Sequence, residues 1–396
     1  MTFQLHDSRT AQRGFSLVEI LVAMVIALIG MLVIFQSFDT FEAQKRTTTS
    51  ANDAQESGLM ALGAVEREVR LAGYGLFYAN QLACNRMNLW NGSAASQVPV
   101  MPIEITDGGS GSDTIVTNYS TSAFGSLPAQ ILLDTTTSAQ VLQVNNATRT
   151  AGFSVGNYIL IANPLRGFSC TRLQVSATTL AADGNSLAIT AAPGTATPAN
   201  PPAATNLFNT SPNPVTSYGN SPAEPSIVIN MGTFSRNQYS VVMNATTREG
   251  ELQLLDLTTA GATAVSIASG VVAMQAQFGV SATPQTQVIN TWVNPTGTWA
   301  PSAITINDIG RVKAVRVAIV TRSSQMERTT ALASGDVTGT CTTHTGTVNN
   351  GPCAWNDAGT TAAPQIDLSA DANWRRYRYR VYETIIPLRN VMWQTF

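Results

Sequence analysis

Lysine is nearly missing from this chain: of 396 residues, only Lys45 and Lys313 carry it. Charged residues of every kind make up 12% and the formal net charge is −2, so no basic field suits a nucleic acid, which is not an expected partner. Histidine is as scarce, with His6 and His344 alone. A Ser-His-Asp arrangement would have to use one of these two, and no phosphate-cradling loop or dinucleotide fingerprint follows a strand. These gaps argue against an enzyme and leave no cofactor to expect. The four cysteines form no CxxC, and only His344 lies near two of them, so no metal site is expected. Proline is absent before Pro99.

What the chain has is a long apolar run. Phe15 to Phe35 reads FSLVEILVAMVIALIGMLVIF, apolar except for Ser16, Glu19 and Gly30. About 20 such residues span a bilayer core as helix. A secretory signal has a shorter apolar stretch with its cleavage site behind it. Here no A-x-A site follows Phe35, and the cut is expected ahead of the run, at Gly14. The segment is therefore expected to remain as an anchor. Arg9 and Arg13 against Asp7 weakly favour a cytoplasmic N-terminus, an asymmetry blunted by Lys45 and Arg46. Glu19 is the anomaly, because a charge at membrane depth costs about 2.5–3.5 kcal/mol on insertion scales. An acid in that place needs a partner.

Arg13-Gly14-Phe15-Ser16-Leu17-Val18-Glu19 resembles the class III signal of type IV pilins and type II secretion pseudopilins. The resemblance implies that a membrane prepilin peptidase cuts after Gly14 and that the new N-terminal Phe15 is methylated. The first 14 residues are then a leader, which takes His6 with it. In a filament the apolar helices bundle, and a buried α-amino group at Phe15 needs an anion. Glu19 of a neighbouring helix is expected to supply it. Breaking a buried pair costs roughly 3–5 kcal/mol, so subunits lacking the acid are expected to dock poorly.

Beyond the membrane the helical pattern continues. Leu59, Leu62, Val65, Val69 and Ala72 form one stripe, with Glu66 and Arg70 an i,i+4 pair on the polar side. Gly73 and Gly75 end it. The Thr/Ser/Asn-rich stretch Lys45–Ser57 forms helix poorly and leaves room for a kink or a melted turn. After Gly75 the chain turns to short β-like runs, among them Thr114–Tyr119, Gln130–Asp134, Tyr158–Ala162, Tyr239–Met243, Val271–Phe278, Val312–Thr321 and Tyr377–Ile386. Val315, Val317 and Ile319 alternate with Arg316 and Ala318, which predicts a half-buried strand. Arg376, Arg378 and Arg380 form a row on one face of the last strand. Eight prolines between Pro193 and Pro225 predict a long exposed loop or a linker between lobes. Asp107–Asp113 could hold calcium but lacks the EF-hand spacing, so a turn is the safer reading. The nearest cysteine pair, Cys341–Cys353, closes a local loop, and elimination leaves Cys84 for Cys170. Both are read as disulfides of an exported domain.

Further pieces resemble one subgroup, the PilW-type minor pilins. They are Arg70-Leu71-Ala72-Gly73-Tyr74, Gly111-Ser112-Asp113-Thr114, Gly156-Asn157-Tyr158, Ile267-Ala268-Ser269-Gly270-Val271, Met274-Gln275-Ala276-Gln277-Phe278-Gly279, Val315-Arg316-Val317-Ala318 and Leu388-Arg389-Asn390. The implied fold is α+β and pilin-like. A long N-terminal α-helix, half transmembrane and half amphipathic, packs on a large β-rich globular head. The implied layout is a leader over 1–14, a helix over 15–75 with its membrane segment at 15–36, and a head over 76–396. The head carries the Pro-rich loop 193–225 and the cysteine loop 341–353. The implied work is priming filament assembly in a tip complex. Its partners are other minor and major pilins through helix bundling, the prepilin peptidase and a tip adhesin. The implied location is the bacterial inner membrane, head in the periplasm, and then the pilus on the cell surface. The rival readings are a minor pseudopilin of a type II secretion system and an adhesin- or DNA-binding pilus subunit using the arginine row.

Overall fold

The computed structural model describes residues 14, 16–78, 81–122, 127–138, 141–145, 152–167, 169–182, 184–194, 199–211, 214–219, 225–259, 261–326, 350–355, 364 and 366–392. The chain divides into two compact units, Met1–Asn52 and Asp53–Phe396. One helix, Leu17–Leu71, contributes to both.

In the first unit, every large apolar side chain from Leu17 to Phe41 is exposed. The helix is long and apolar enough to cross a membrane. Its Thr/Ser/Asn-rich middle does not melt, and the helical assignment is unbroken. Ser37 Oγ and Thr40 Oγ1 donate to the carbonyls of Val33 and Gln36 at 3.0 and 2.9 Å, and Ser50 Oγ donates to Thr47 O at 3.1 Å. Hydroxyls that would compete with a helix are thus turned onto its own carbonyls.

In the second unit the helix buries Ala54, Ala61, Val65, Val69 and Ala72. Leu59, expected on that stripe, is 55% exposed. Gly58 faces inward instead, because the ring of Tyr382 occupies the space. A Cβ at Gly58 would lie 2.2 Å from Tyr382 Cε2.

Among the described residues this unit holds five sheets. A six-stranded sheet runs in the order Ala95–Pro99, Arg86–Trp90, Cys170–Gln174, Tyr158–Ala162, Ile227–Gly232, Pro128–Gln130. A five-stranded sheet runs Val265–Ser269, Gly250–Asp256, Ser235–Met243, Thr114–Tyr119, Ile103–Thr106. A four-stranded sheet runs Thr291–Val293, Val271–Val280, Val312–Arg322, Tyr379–Pro387. A three-stranded sheet (Ala177–Leu180, Ser186–Thr190, Val141–Asn145) and the hairpin Phe77–Tyr78 with Gln81–Leu82 complete the set. The strand expected at Gln130–Asp134 lies earlier, at Pro128–Gln130.

The six-stranded sheet is buried on both faces, and its side chains divide with the period of two that a strand imposes. Leu160, Ala162, Ile227 and Ile229 enter the core that the helix shares. Ile159, Ile161, Leu173 and Val228 enter a second core. Described residues of the Pro-rich segment help close that second core, so this part of it is not the wholly exposed loop expected. Prolines keep it out of the ladders, but Leu207, Phe208, Val215 and Tyr218 are buried. Asn206 Oδ1 accepts from the N–H groups of Phe208 and Ser138 at 3.1 and 3.0 Å. The rings of Phe208 and Tyr218 meet edge to face at 4.8 Å, and the Tyr218 hydroxyl donates to Ser169 O.

Val312–Arg322 is buried along its whole length, not half-buried. Its second face is covered by Ala354, Trp355 and Ile366. Arg316 lies between the rings of Trp292 and Trp355, 4.9 and 4.6 Å from their centroids, and its Nε donates to Gln277 Oε1 at 2.7 Å. The alternation read from the sequence is present, but the polar side meets a second layer rather than water. The arginine row fails for a local reason. Trp374–Arg376 is a 3-10 turn and the strand begins at Tyr379, so only Arg380 of the three stands on it.

Candidate functional site

The N-terminal segment starts with a helix cap. Helix begins at Leu17, directly after Ser16, and Ser16 N donates to Glu19 Oε2 at 3.4 Å. Ser16-x-x-Glu19 therefore makes half of a capping box, in which the acid three residues on reaches back to the cap amide. The positive end of the helix dipole favours a carboxylate there. The signature is contiguous in Ser16-Leu17-Val18-Glu19, and it gives the acid a local partner besides the intermolecular one expected from the sequence. Gly14, Ser16 and Glu19 are all exposed. Phe15 lies outside the described residues.

The second constellation locks the end of the helix to the sheets. Glu68, 4% exposed, accepts from Tyr119 Oη and Asn237 Nδ2, both at 3.0 Å from its Oε2. Arg67 Nη2 stands 3.5 Å from its other oxygen. Its sequence signal is a carboxylate between Val65 and Val69 on an apolar face. Burial pushes the Tyr119 hydroxyl above its usual pKa. Gly73 and Gly75 take φ of +82° and +74°, the left-handed conformation that glycine adopts at a helix end. Gly73 N donates to Asn118 O at 2.8 Å. Asn390 Nδ2 donates to the carbonyls of Leu71 and Ala72 at 3.3 and 3.1 Å, so the last short helix, Arg389–Met392, caps the first.

The other short pieces singled out in the sequence also sit at joints. Asp113 Oδ1 accepts from Gly108 N at 2.9 Å and its Oδ2 from Ala276 N at 2.7 Å, pinning a turn to the strand Val271–Val280. Burial raises its pKa to about 7, against the pull of those two N–H groups. Asp107 Oδ1 accepts from Gly109 N at 2.6 Å, so both acids of the candidate calcium loop serve a turn. Gln275 Nε2 donates to Gly111 O at 2.5 Å and Gln277 Nε2 to Asn294 Oδ1 at 2.5 Å. Gly270 takes φ of +75° and its carbonyl accepts from Arg322 N at 2.8 Å.

Cys84 and Cys170 form a disulfide across 86 residues of sequence. Cys341 and His344 lie outside the described residues, so the Cys341–Cys353 pairing stays an expectation. Arg380 Nη1 donates to Gln55 Oε1 at 3.2 Å, while Arg322 pairs with Asp371 at 3.0 Å and stacks on Tyr377.

Two family models match. Residues 238–390 match the family described as type IV pilus-assembly protein W, and residues 9–35 match the prokaryotic N-terminal methylation motif. No curated protein and no solved structure matches the chain. The first match takes in three strands of the five-stranded sheet, from Gln238 on, the whole four-stranded sheet and the cap at Asn390, and the second takes in residues 9–14 and the apolar run.

Proposed function

Because the chain belongs to the type IV pilus-assembly protein W family and carries the N-terminal methylation motif, we propose that it is a minor pilin that primes filament assembly within a tip complex of minor pilins. Pilus assembly implies pilin partners, and the methylation motif implies a prepilin peptidase. The apolar N-terminal helix suggests inner-membrane anchoring before assembly. The observation that carries the reading is that helix itself, bare from Leu17 to Phe41 with one acid at its start.

In this reading Gly14 precedes the cut and Phe15 becomes the methylated N-terminus. The head faces the periplasm and later stands on the cell surface, where it can carry an adhesin. Glu19 leaves its cap when the α-amino group of a neighbouring pilin is offered. The exchange is favourable in a water-free bundle, where an unpaired charge is costly. The family is a structural one, and the chain performs no chemistry of its own in this role.

The test is made in cells that hold the other pilins. Mass spectrometry of subunits from sheared filaments is expected to find a chain beginning at N-methylated Phe15. Glu19→Ala is expected to insert in the membrane yet fall at least about tenfold in the filament fraction. Deleting the chain is expected to reduce filament number and leave filament length unchanged. Wild-type recovery of Glu19→Ala refutes the docking role, and shortened filaments in normal number refute priming.

A further inference from the structure

Tyr379–Pro387 is a long strand at the edge of its sheet. It has nine residues, whereas the other edge strands among the described residues have two to five. It pairs with Val312–Arg322 along its whole length, without a bulge. Two bonds just beyond its ends fix the phase of that ladder. Leu388 N donates to Lys313 O at 2.9 Å, and Ser323 N donates to Arg378 O at 2.8 Å. In an antiparallel pair the hydrogen-bonded residues recur at every second position. Arg380, Tyr382, Thr384 and Ile386 therefore bond inward, and Val381, Glu383 and Ile385 turn N–H and C=O outward. Among the described residues these outward groups meet no partner.

Natural sheets blunt an open edge by keeping it short, by bulging it, or by placing proline or charge on it. This edge is long and regular, and its one proline, Pro387, stands at the far end. Both charges on the strand are turned to their own chain. Arg380 Nη1 donates to Gln55 Oε1 at 3.2 Å, and Glu383 Oε1 accepts from Trp355 N at 2.9 Å. Ile385 is left 58% exposed. Outward donors and acceptors at every second residue fit one kind of occupant, another extended backbone. The helix indicates which chain can supply it. Gln55 meets Arg380, Gly58 meets Tyr382, and Leu71 and Ala72 meet Asn390, so helix and strand run side by side in the same direction. Antiparallel pairing of this edge with its own copy reverses the helix as well. Two copies anchored in one membrane cannot form it.

We propose that the outer edge of residues 381–385 receives an extended segment of a different membrane-anchored subunit, which adds a fifth strand to the four-stranded sheet. Main-chain hydrogen bonds supply the affinity, and the alternate side chains of the incoming strand supply the selectivity. The choice of a different subunit rests on the anchored reading given above; the open edge does not.

The edge is tested first in the full chain in detergent micelles, by amide hydrogen exchange resolved to single residues. Tyr382 and Thr384 are expected to be protected, and Val381, Glu383 and Ile385 to exchange at least about a hundredfold faster. Equal protection overturns the proposal. The partner is tested in cells that hold the other pilins. A photo-reactive p-benzoylphenylalanine is placed at position 384, and the cross-linked peptides are sequenced. One segment of a different membrane-anchored subunit is expected. Ile385→Pro removes an outward donor and leaves the inward ladder intact, and is expected to lower the cross-link yield about tenfold. Ile385→Thr keeps the donor and is expected to leave the yield unchanged. If Ile385→Pro fails to fold, Ile385→Lys decides in its place by the same loss, since lysine blunts natural edges. A cross-link to a second copy or to a soluble protein, no cross-link, or a yield undiminished in the deciding variant overturns the proposal. A cross-link to a different anchored subunit in cells whose filament number does not depend on this chain supports the pairing and refutes only priming.

Discussion

A carboxylate can be held in an apolar wall in two ways, and this chain uses both. Glu68 is kept by two neutral donors and a neighbouring arginine. Asp113 is kept by backbone N–H groups alone, and burial lifts its pKa from 3.8 to about 7. A carboxyl raised in this way binds its proton more tightly folded than unfolded. It therefore favours the folded state at low pH, and that contribution is lost as pH rises through about 7. Roughly three pH units at about 1.4 kcal/mol each set the scale, about 4 kcal/mol between pH 4 and pH 7. Asp113→Asn is expected to flatten this slope. Urea unfolding followed by tryptophan fluorescence at pH 4.5, 6 and 7.5 measures it, and parallel slopes in both proteins would exclude the assignment. Glu19 belongs to the same scale. One side chain serves as a cap in the single chain and is proposed as an ion-pair partner in the filament, a change of role that needs only rotamer freedom.

Among the elements, the helix makes the sharpest test of packing. Gly58 is pressed by Tyr382, while Gly63 has nothing within 4 Å of where a Cβ would stand. Alanine favours helix over glycine by about 0.8–1.0 kcal/mol. Gly63→Ala is therefore expected to stabilise by about that amount. Gly58→Ala is expected to destabilise by about 1–3 kcal/mol, since overpacking outweighs propensity. Opposite signs for one substitution at two helical positions, read as shifts in urea midpoint, are the expected result. Two shifts of the same sign would contradict the packing described here. The helix and most strands were legible because apolar periodicity is local. The strands Thr114–Tyr119 and Tyr158–Ala162 lie where alternation and apolar runs put them. What was illegible depends on distant chain. Leu59 turns outward because Tyr382, more than three hundred residues on, claims the inner position. Val312–Arg322 loses its wet face to Trp355 and Ile366. The Pro-rich segment reads as loop, yet Leu207, Phe208 and Tyr218 complete a core whose other walls lie elsewhere in sequence. Gly14 and Glu19 could be found because their motif is contiguous; the partners of Glu68 and Asn390 could not, since they come from distant strands and from the end of the first helix.

For the molecule as a whole, the disulfide and the terminal cap tie distant parts of the chain together. Cys84–Cys170 closes a loop of 86 residues, which on loop-entropy grounds restricts the unfolded chain by about 4–5 kcal/mol. The double variant Cys84→Ser with Cys170→Ser leaves the other two cysteines alone and is expected to lose about 2–5 kcal/mol of unfolding free energy in denaturant titration. An unchanged midpoint would mean that the bond adds nothing to the folded state. Asn390 has a different consequence, one of timing. It caps carbonyls that precede it by 318 and 319 residues, and Ile386, Leu388 and Val391 enter the same core as the helix. In a chain delivered N-terminus first, the end of the helix waits for 318 further residues before this part of its cover arrives. Non-local closure of this kind is slow and leaves apolar surface open meanwhile. The joint thus acts as a check on synthesis: a chain interrupted anywhere before Leu388 keeps an open seam.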